Sequence, residues 1–140
     1  MADERKRGPF LTAMAVLFGI LALSNCTKAF QHLRDPGHLG IVIFGARFES
    51  VPSNLILGPL MGLVLAAYAY GLWRLKPWVA RLSIVYAFYV PTNLVLFWYR
   101  QTGPDIPPLR FILVYLAVAF TGSIGTALYL AYHRDKLAAL

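Results

Sequence analysis

The sequence predicts an all-α integral membrane protein, a four-helix transmembrane bundle with a short extended or β-like outer segment between helices 1 and 2. Three observations predict it. The chain is 59% hydrophobic and only 14% charged, where a soluble globular domain carries about 25% charged residues. The few charges leave four uncharged stretches, Gly8–Thr27, Ser50–Trp73, Leu82–Tyr99 and Phe111–Tyr132. Each comes close to or exceeds the roughly 20 residues that a helix rising 1.5 Å per residue needs to cross about 30 Å of hydrocarbon. Finally, Phe10–Leu23 and Leu55–Leu72 show no polar face at helical spacing. Helices apolar on every side belong in lipid or deep inside a large protein, and 140 residues make one domain of modest size.

The first span is expected over residues 9–28, with Pro9 in the first turn, where its missing N–H costs nothing. Its end, Leu23-Ser24-Asn25-Cys26, resembles the processing site of a lipoprotein signal peptide. Asn25 departs from that pattern, which has a small residue before the cysteine, so an uncleaved helix is expected. The outer segment 29–50 follows. Asp35-Pro36-Gly37 signals a turn, and Ile41-Val42-Ile43-Phe44 between Gly40 and Gly45 reads as a short strand or hairpin arm. This apolar piece is expected to cover the mouth of the bundle or to meet a partner.

The second span is expected over 52–73 and the third over 78–99, joined by a tight turn at Lys76-Pro77 that makes them antiparallel neighbours. Pro91 removes a backbone hydrogen bond within the third span and is expected to kink it. The loop Gln101–Pro108 holds three prolines and cannot be helical throughout. The fourth span is expected over 109–133.

The net charge of +7 does not indicate nucleic-acid binding, because the basic residues sit at the ends of the spans and form no stripe. With the N-terminus in the cytoplasm, eight basic residues fall inside (Arg5, Lys6, Arg7, Arg74, Lys76, Arg81, Arg134, Lys136). Five fall outside (Lys28, Arg34, Arg47, Arg100, Arg110). The positive-inside rule therefore predicts both termini in the cytoplasm, and Trp73, Trp78, Trp98 and Tyr99 lie where an interfacial aromatic belt is expected.

No ionisable side chain occupies the middle of any span. Proton-coupled export and proton relays built on Asp, Glu or His are excluded on that ground. One cysteine, Cys26, cannot form a Cys-x-x-Cys redox pair. It is expected to be a small apolar residue at a helix end, with lipidation or pairing between chains as alternatives. His32 and His38 share the outer segment with Asp35 and Glu49, but their spacing matches no closed zinc pattern, and neither metal nor cofactor is expected. No acid, base and nucleophile set is visible, so no enzymatic activity is expected.

The informative polar groups are amides. Asn25, Asn54 and Asn93 fall at one level in the outer third of the membrane, with Thr92, Tyr89 and Tyr115 at nearby depths. An amide facing lipid without a partner is costly, so these side chains are expected to face the bundle interior. They serve either as interhelical hydrogen bonds or as the polar head of an outer-leaflet pocket for a lipid or quinone-like molecule. Gly58 and Gly62 on helix 2, with Gly122 and Ser123 on helix 4, predict close helix packing within the bundle or between copies of the chain.

Two stretches carry a family resemblance. Gly71-Leu72-Trp73-Arg74-Leu75-Lys76-Pro77-Trp78-Val79-Ala80-Arg81, within Tyr68–Tyr99, resembles the interhelical turn of uncharacterised small four-helix bacterial inner-membrane proteins. Val42–Gly62, with Phe44-Gly45, Arg47, Asn54 and Gly58-Pro59, is similar to the same group. The resemblance implies a bacterial source and transfers no activity. The expected role is an accessory, scaffold or oligomeric subunit in contact with membrane lipids, as a homo-oligomer or within a larger membrane complex. Binding or carriage of a hydrophobic small molecule is the alternative.

Overall fold

A computed structural model describes residues 8–35, 40–100 and 109–133. Four helices in it are long and apolar enough to cross a membrane, Pro9–Cys26, Val51–Trp73, Trp78–Arg100 and Ile112–Tyr132. The protein is a small multi-pass integral membrane protein of the all-α class. Large apolar side chains point outward on every span, including Leu23, Ile56, Leu63, Phe88, Val95, Val114 and Leu128, each exposed by more than half. In water such a surface would aggregate; in a bilayer it is the lipid-facing surface.

Helix α1 (Pro9–Cys26) starts with Pro at its first position. Helix α2 (Lys28–Arg34) follows after Thr27 and is a departure from the extended outer segment expected there. Its cause is local. The N–H of Gln31 donates to Thr27 O at 3.0 Å, and the Gln31 amide donates to Thr27 Oγ1 at 2.8 Å and Ser24 O at 3.2 Å. These bonds carry helical pairing across the irregularity at Thr27. The expected turn at Pro36-Gly37 and the loop Gln101–Pro108 lie outside the described residues.

The second part of the outer segment is a hairpin, β1 (Ile41–Ile43) and β2 (Ala46–Phe48), paired antiparallel with Ile43 opposite Ala46 and Ile41 opposite Phe48. Its two-residue turn places Phe44 at φ 47° and Gly45 at φ 74°. Positive φ at both central residues is the type I′ geometry that suits the twist of a hairpin. Gly45 is free to adopt it, whereas Phe44 is unusual there. The Phe44 ring meets Tyr89 edge-on, centroids 5.4 Å apart, which helps hold the turn.

Helix α3 (Val51–Trp73) is capped by Ser50, whose hydroxyl accepts from the Ser53 N–H. Its far end closes as a Schellman motif: Lys76 N donates to Gly71 O at 2.9 Å and Leu75 N to Leu72 O at 3.4 Å. The left-handed residue is Leu75, at φ 50°, where Gly would be usual; its side chain is buried in the core. Helix α4 (Trp78–Arg100) begins at once and continues through Pro91. Its Trp78 ring lies against Gly71, in the space a side chain there would need. The last span comprises α5 (Leu109–Phe120), a π-helical segment Thr121–Gly125, and α6 (Thr126–Tyr132). With four crossings, residues 8 and 133 share the side of the Trp73–Trp78 turn, and the hairpin occupies the other.

The core lies mainly between α1 and α3. Leu11, Ala15, Phe18 and Ala22 recur at helical spacing on α1 and pack with Leu65, Tyr68 and Leu72, while Val79 and Leu130 close the end near the termini. Towards the hairpin the two helices approach until backbones touch. A Cβ on Gly58 would collide with Asn25 O, and one on Gly62 with Cys26 Sγ and Ala22 O. The glycine pair therefore packs inside the bundle, against α1. Gly122 lies against Phe18, and Ser123 is fully buried with its hydroxyl donating to Ala119 O at 2.6 Å.

Candidate functional site

Beside this close seam, α1, α4 and the last span border a chamber, with Met61 and Leu65 of α3 at its edge. Helix α5 buries none of its described side chains, and the space beside it is a cavity of about 650 Å³. Three helical stripes line it. On α1 and α2 the stripe is Leu17, Phe18, Leu21, Ser24, Asn25 and Lys28. Tyr86, Tyr89, Val90, Asn93 and Phe97 face it from α4, and Ile112, Tyr115, Ala119 and Gly122 from the last span. Within each series the residues recur at spacings of one, three and four, so each lies on one helix face.

The chamber has a distinct roof and floor. Gly40, Ile41 and Val42 of the hairpin roof it. Asn93 fastens that roof: its Oδ1 accepts from Gly45 N at 2.9 Å, and its Nδ2 donates to Val42 O at 3.4 Å. Asn54, fully buried, ties down the hairpin's other end by donating to Phe48 O at 2.8 Å and Ser50 O at 2.9 Å. The floor is aromatic, with Phe18 4.6 Å from Tyr68 and 5.5 Å from Tyr86 between ring centroids. The π-helical segment begins beside it, and its Gly122 reaches the wall; single-turn π segments of this kind are frequent at functional sites.

The polar candidates divide accordingly. Asn25, Asn93, Tyr89 and Tyr115 come together on the chamber wall. Asn54 belongs to the hairpin anchorage, outside the lining, and Thr92 is exposed on another face of α4. The one-residue step from Asn93 rotates Thr92 by about 100° around a helix of 3.6 residues per turn. Asn25 commits one amide N–H to Leu21 O of its own helix at 2.8 Å. Among the described residues Tyr89 Oη is buried with no hydrogen-bond partner, a costly state for a hydroxyl.

The sequence alone places Lys28 among the outer positive charges; in the structure it also lines the cavity beside Asn25. The signal was available: Leu21, Asn25 and Lys28 stand four and three residues apart, on one face of a nearly continuous helix. Burial depresses the pKa of the Lys28 ammonium, because desolvation disfavours its charged form. In and beside the second strand Arg47 and Glu49 form an ion pair at 2.8 Å, partly exposed and worth little. Among the described residues no three metal-ligating side chains gather. Cys26 is a free thiol beside Gly62.

No family model matches this chain, and no curated protein or solved structure does.

Proposed function

We propose that this protein is a non-enzymatic binder or carrier of a membrane-soluble amphiphile, a lipid or quinone-like molecule, held in the chamber between α1, α4 and α5. The observation that carries the reading is the chamber itself. Its volume of about 650 Å³ falls within the roughly 300–1,000 Å³ usual for small-molecule sites. Its walls are apolar, and Ser24, Asn25, Lys28 and Asn93 gather at the roofed end, which suits a ligand with a hydrocarbon body and a polar head. Membrane lipids are its natural source of such a ligand. The role of accessory or oligomeric subunit is the weaker reading, because the small-residue face of α3 that could join two copies is occupied by α1.

Native mass spectrometry from a mild detergent tests this. The wild type is expected to retain one amphiphile per chain. Ala119→Phe, which projects a ring into the chamber, is expected to reduce retention by about ten-fold while the protein keeps its fold by circular dichroism. A wild type that retains nothing, or a variant that retains as much as the wild type, would overturn the reading.

We further propose residence in a bacterial inner membrane, with the termini in the cytoplasm and the hairpin outside, supported by the eight-to-five distribution of basic residues. Alkaline phosphatase fused after Arg47 is expected to be active and after Lys76 inactive; the opposite pair of results reverses the orientation.

A further inference from the structure

We infer that the chamber's ligand carries an anionic headgroup, bound at the roofed end by the Lys28 ammonium. The inference rests on the chamber being a ligand site, and it specifies what that site selects. Lys28 is the one charged side chain among the described residues that line the cavity. It is only partly exposed, and among the described residues no carboxylate lies within ion-pair distance of it; the described ion pair joins Arg47 to Glu49.

A lysine at the end of a membrane helix ordinarily extends its ammonium into the headgroup layer. Here the side chain has company on both sides. Its Cβ lies 3.6 Å from where a Gly58 Cβ would be, so the stem starts on the α1–α3 seam, and the roof at Gly40 and Ile41 borders the same cavity. Desolvation of the ammonium, expressed in its lowered pKa, is a cost that an anion in the chamber offsets and a neutral ligand does not. Asn25, which uses one of two amide N–H groups on Leu21 O, and Ser24 stand beside Lys28 on the same stripe. They can add hydrogen-bond donors to a carboxylate or phosphate.

The test uses the full-length chain in nanodiscs of zwitterionic phosphatidylcholine, equilibrated with oleic acid, oleoyl lysophosphatidic acid or the neutral oleyl alcohol. Wild type is expected to retain at least one of the two anions about ten-fold better than the alcohol, and which one distinguishes a carboxylate from a phosphate head. Lys28→Met is expected to erase that preference while still retaining the alcohol, and Lys28→Arg to preserve it. Equal retention of all three by wild type, or an anion preference undiminished in Lys28→Met, overturns the inference while leaving the chamber a ligand site. Retention of none of the three by wild type overturns both.

Discussion

Gly58→Ala is expected to lower the unfolding temperature of the detergent-solubilised protein by several degrees, and Gly62→Leu by more. Neither glycine is needed for backbone conformation, since both lie inside α3. Each is needed for distance. The added Cβ at Gly58 would meet the carbonyl oxygen of Asn25, and a side chain at Gly62 would meet Cys26 Sγ and the Ala22 carbonyl. Carbonyl oxygens of a helix cannot rotate aside as a side chain can, so the helices must separate along their seam. Overpacking of this kind costs about 1–3 kcal/mol, which corresponds to a loss of several degrees for a protein of this size. In lipid the loss is not recovered by burying other apolar groups, because helix association there depends on close packing. Gly19→Ala is the matched control: nothing lies within 4 Å of the position its Cβ would take. It is expected to leave the unfolding temperature unchanged or slightly raised, by virtue of the roughly 1 kcal/mol helix preference of Ala over Gly. Equal behaviour of the Gly58 and Gly19 variants in a thermal melt followed by circular dichroism would remove the α1–α3 seam as the source of stability.

The second large effect is expected at Asn93. A two-residue hairpin turn leaves the N–H of its second residue outside the strand ladder, and here that N–H belongs to the buried Gly45 and donates to Asn93 Oδ1. Asn93→Leu removes the acceptor and leaves a buried donor unpaired, at a cost of about 1–3 kcal/mol. It also deletes the bond to Val42 O. The hairpin should then open locally, with amide hydrogen exchange across residues 40–48 accelerating by about ten-fold or more, and retention of the amphiphile proposed for the chamber should fall with it. Asn54→Leu, which cuts the bonds to Phe48 O and Ser50 O, should release the other end of the hairpin and speed exchange most strongly near residue 48. Unchanged exchange in Asn93→Leu would show that the roof is held by something other than this amide.

What the sequence discloses about this architecture follows from which forces act locally. The spans were legible because the bilayer imposes a minimum length, and the positions of charges such as Arg74 and Arg100 bound it directly. The strand at Ile41–Ile43 was legible as a short apolar run between glycines. Its partner Ala46–Phe48 was not, because Phe44-Gly45 lacks the Asn-Gly or Asp-Gly signature of a type I′ turn, and a phenylalanine at positive φ is settled by its contact with Tyr89. Helix α2 was hidden by the turn signal that follows it and by a side-chain bond, Gln31 to Ser24 O, that reaches back seven residues. At the candidate site, the common depth of Asn25, Asn54 and Asn93 could be counted from the span ends, but their partners could not. Two of the three bind backbone groups of the hairpin, a pairing fixed by tertiary structure alone. The stripe Leu21-Asn25-Lys28 was readable as a helix face; its importance emerges only once α5 leaves space beside it.

The roof of the chamber has an implication for biogenesis. It is spun from the link between the first and second crossings but is buckled to Asn93, near the end of the third, and the wall carrying Tyr115 and Ala119 arrives with the fourth. A nascent chain halted after two crossings therefore has a lid with no latch and a compartment with no side. The compartment is completed last, so the amphiphile proposed for it can be held there only once the fourth crossing is in place.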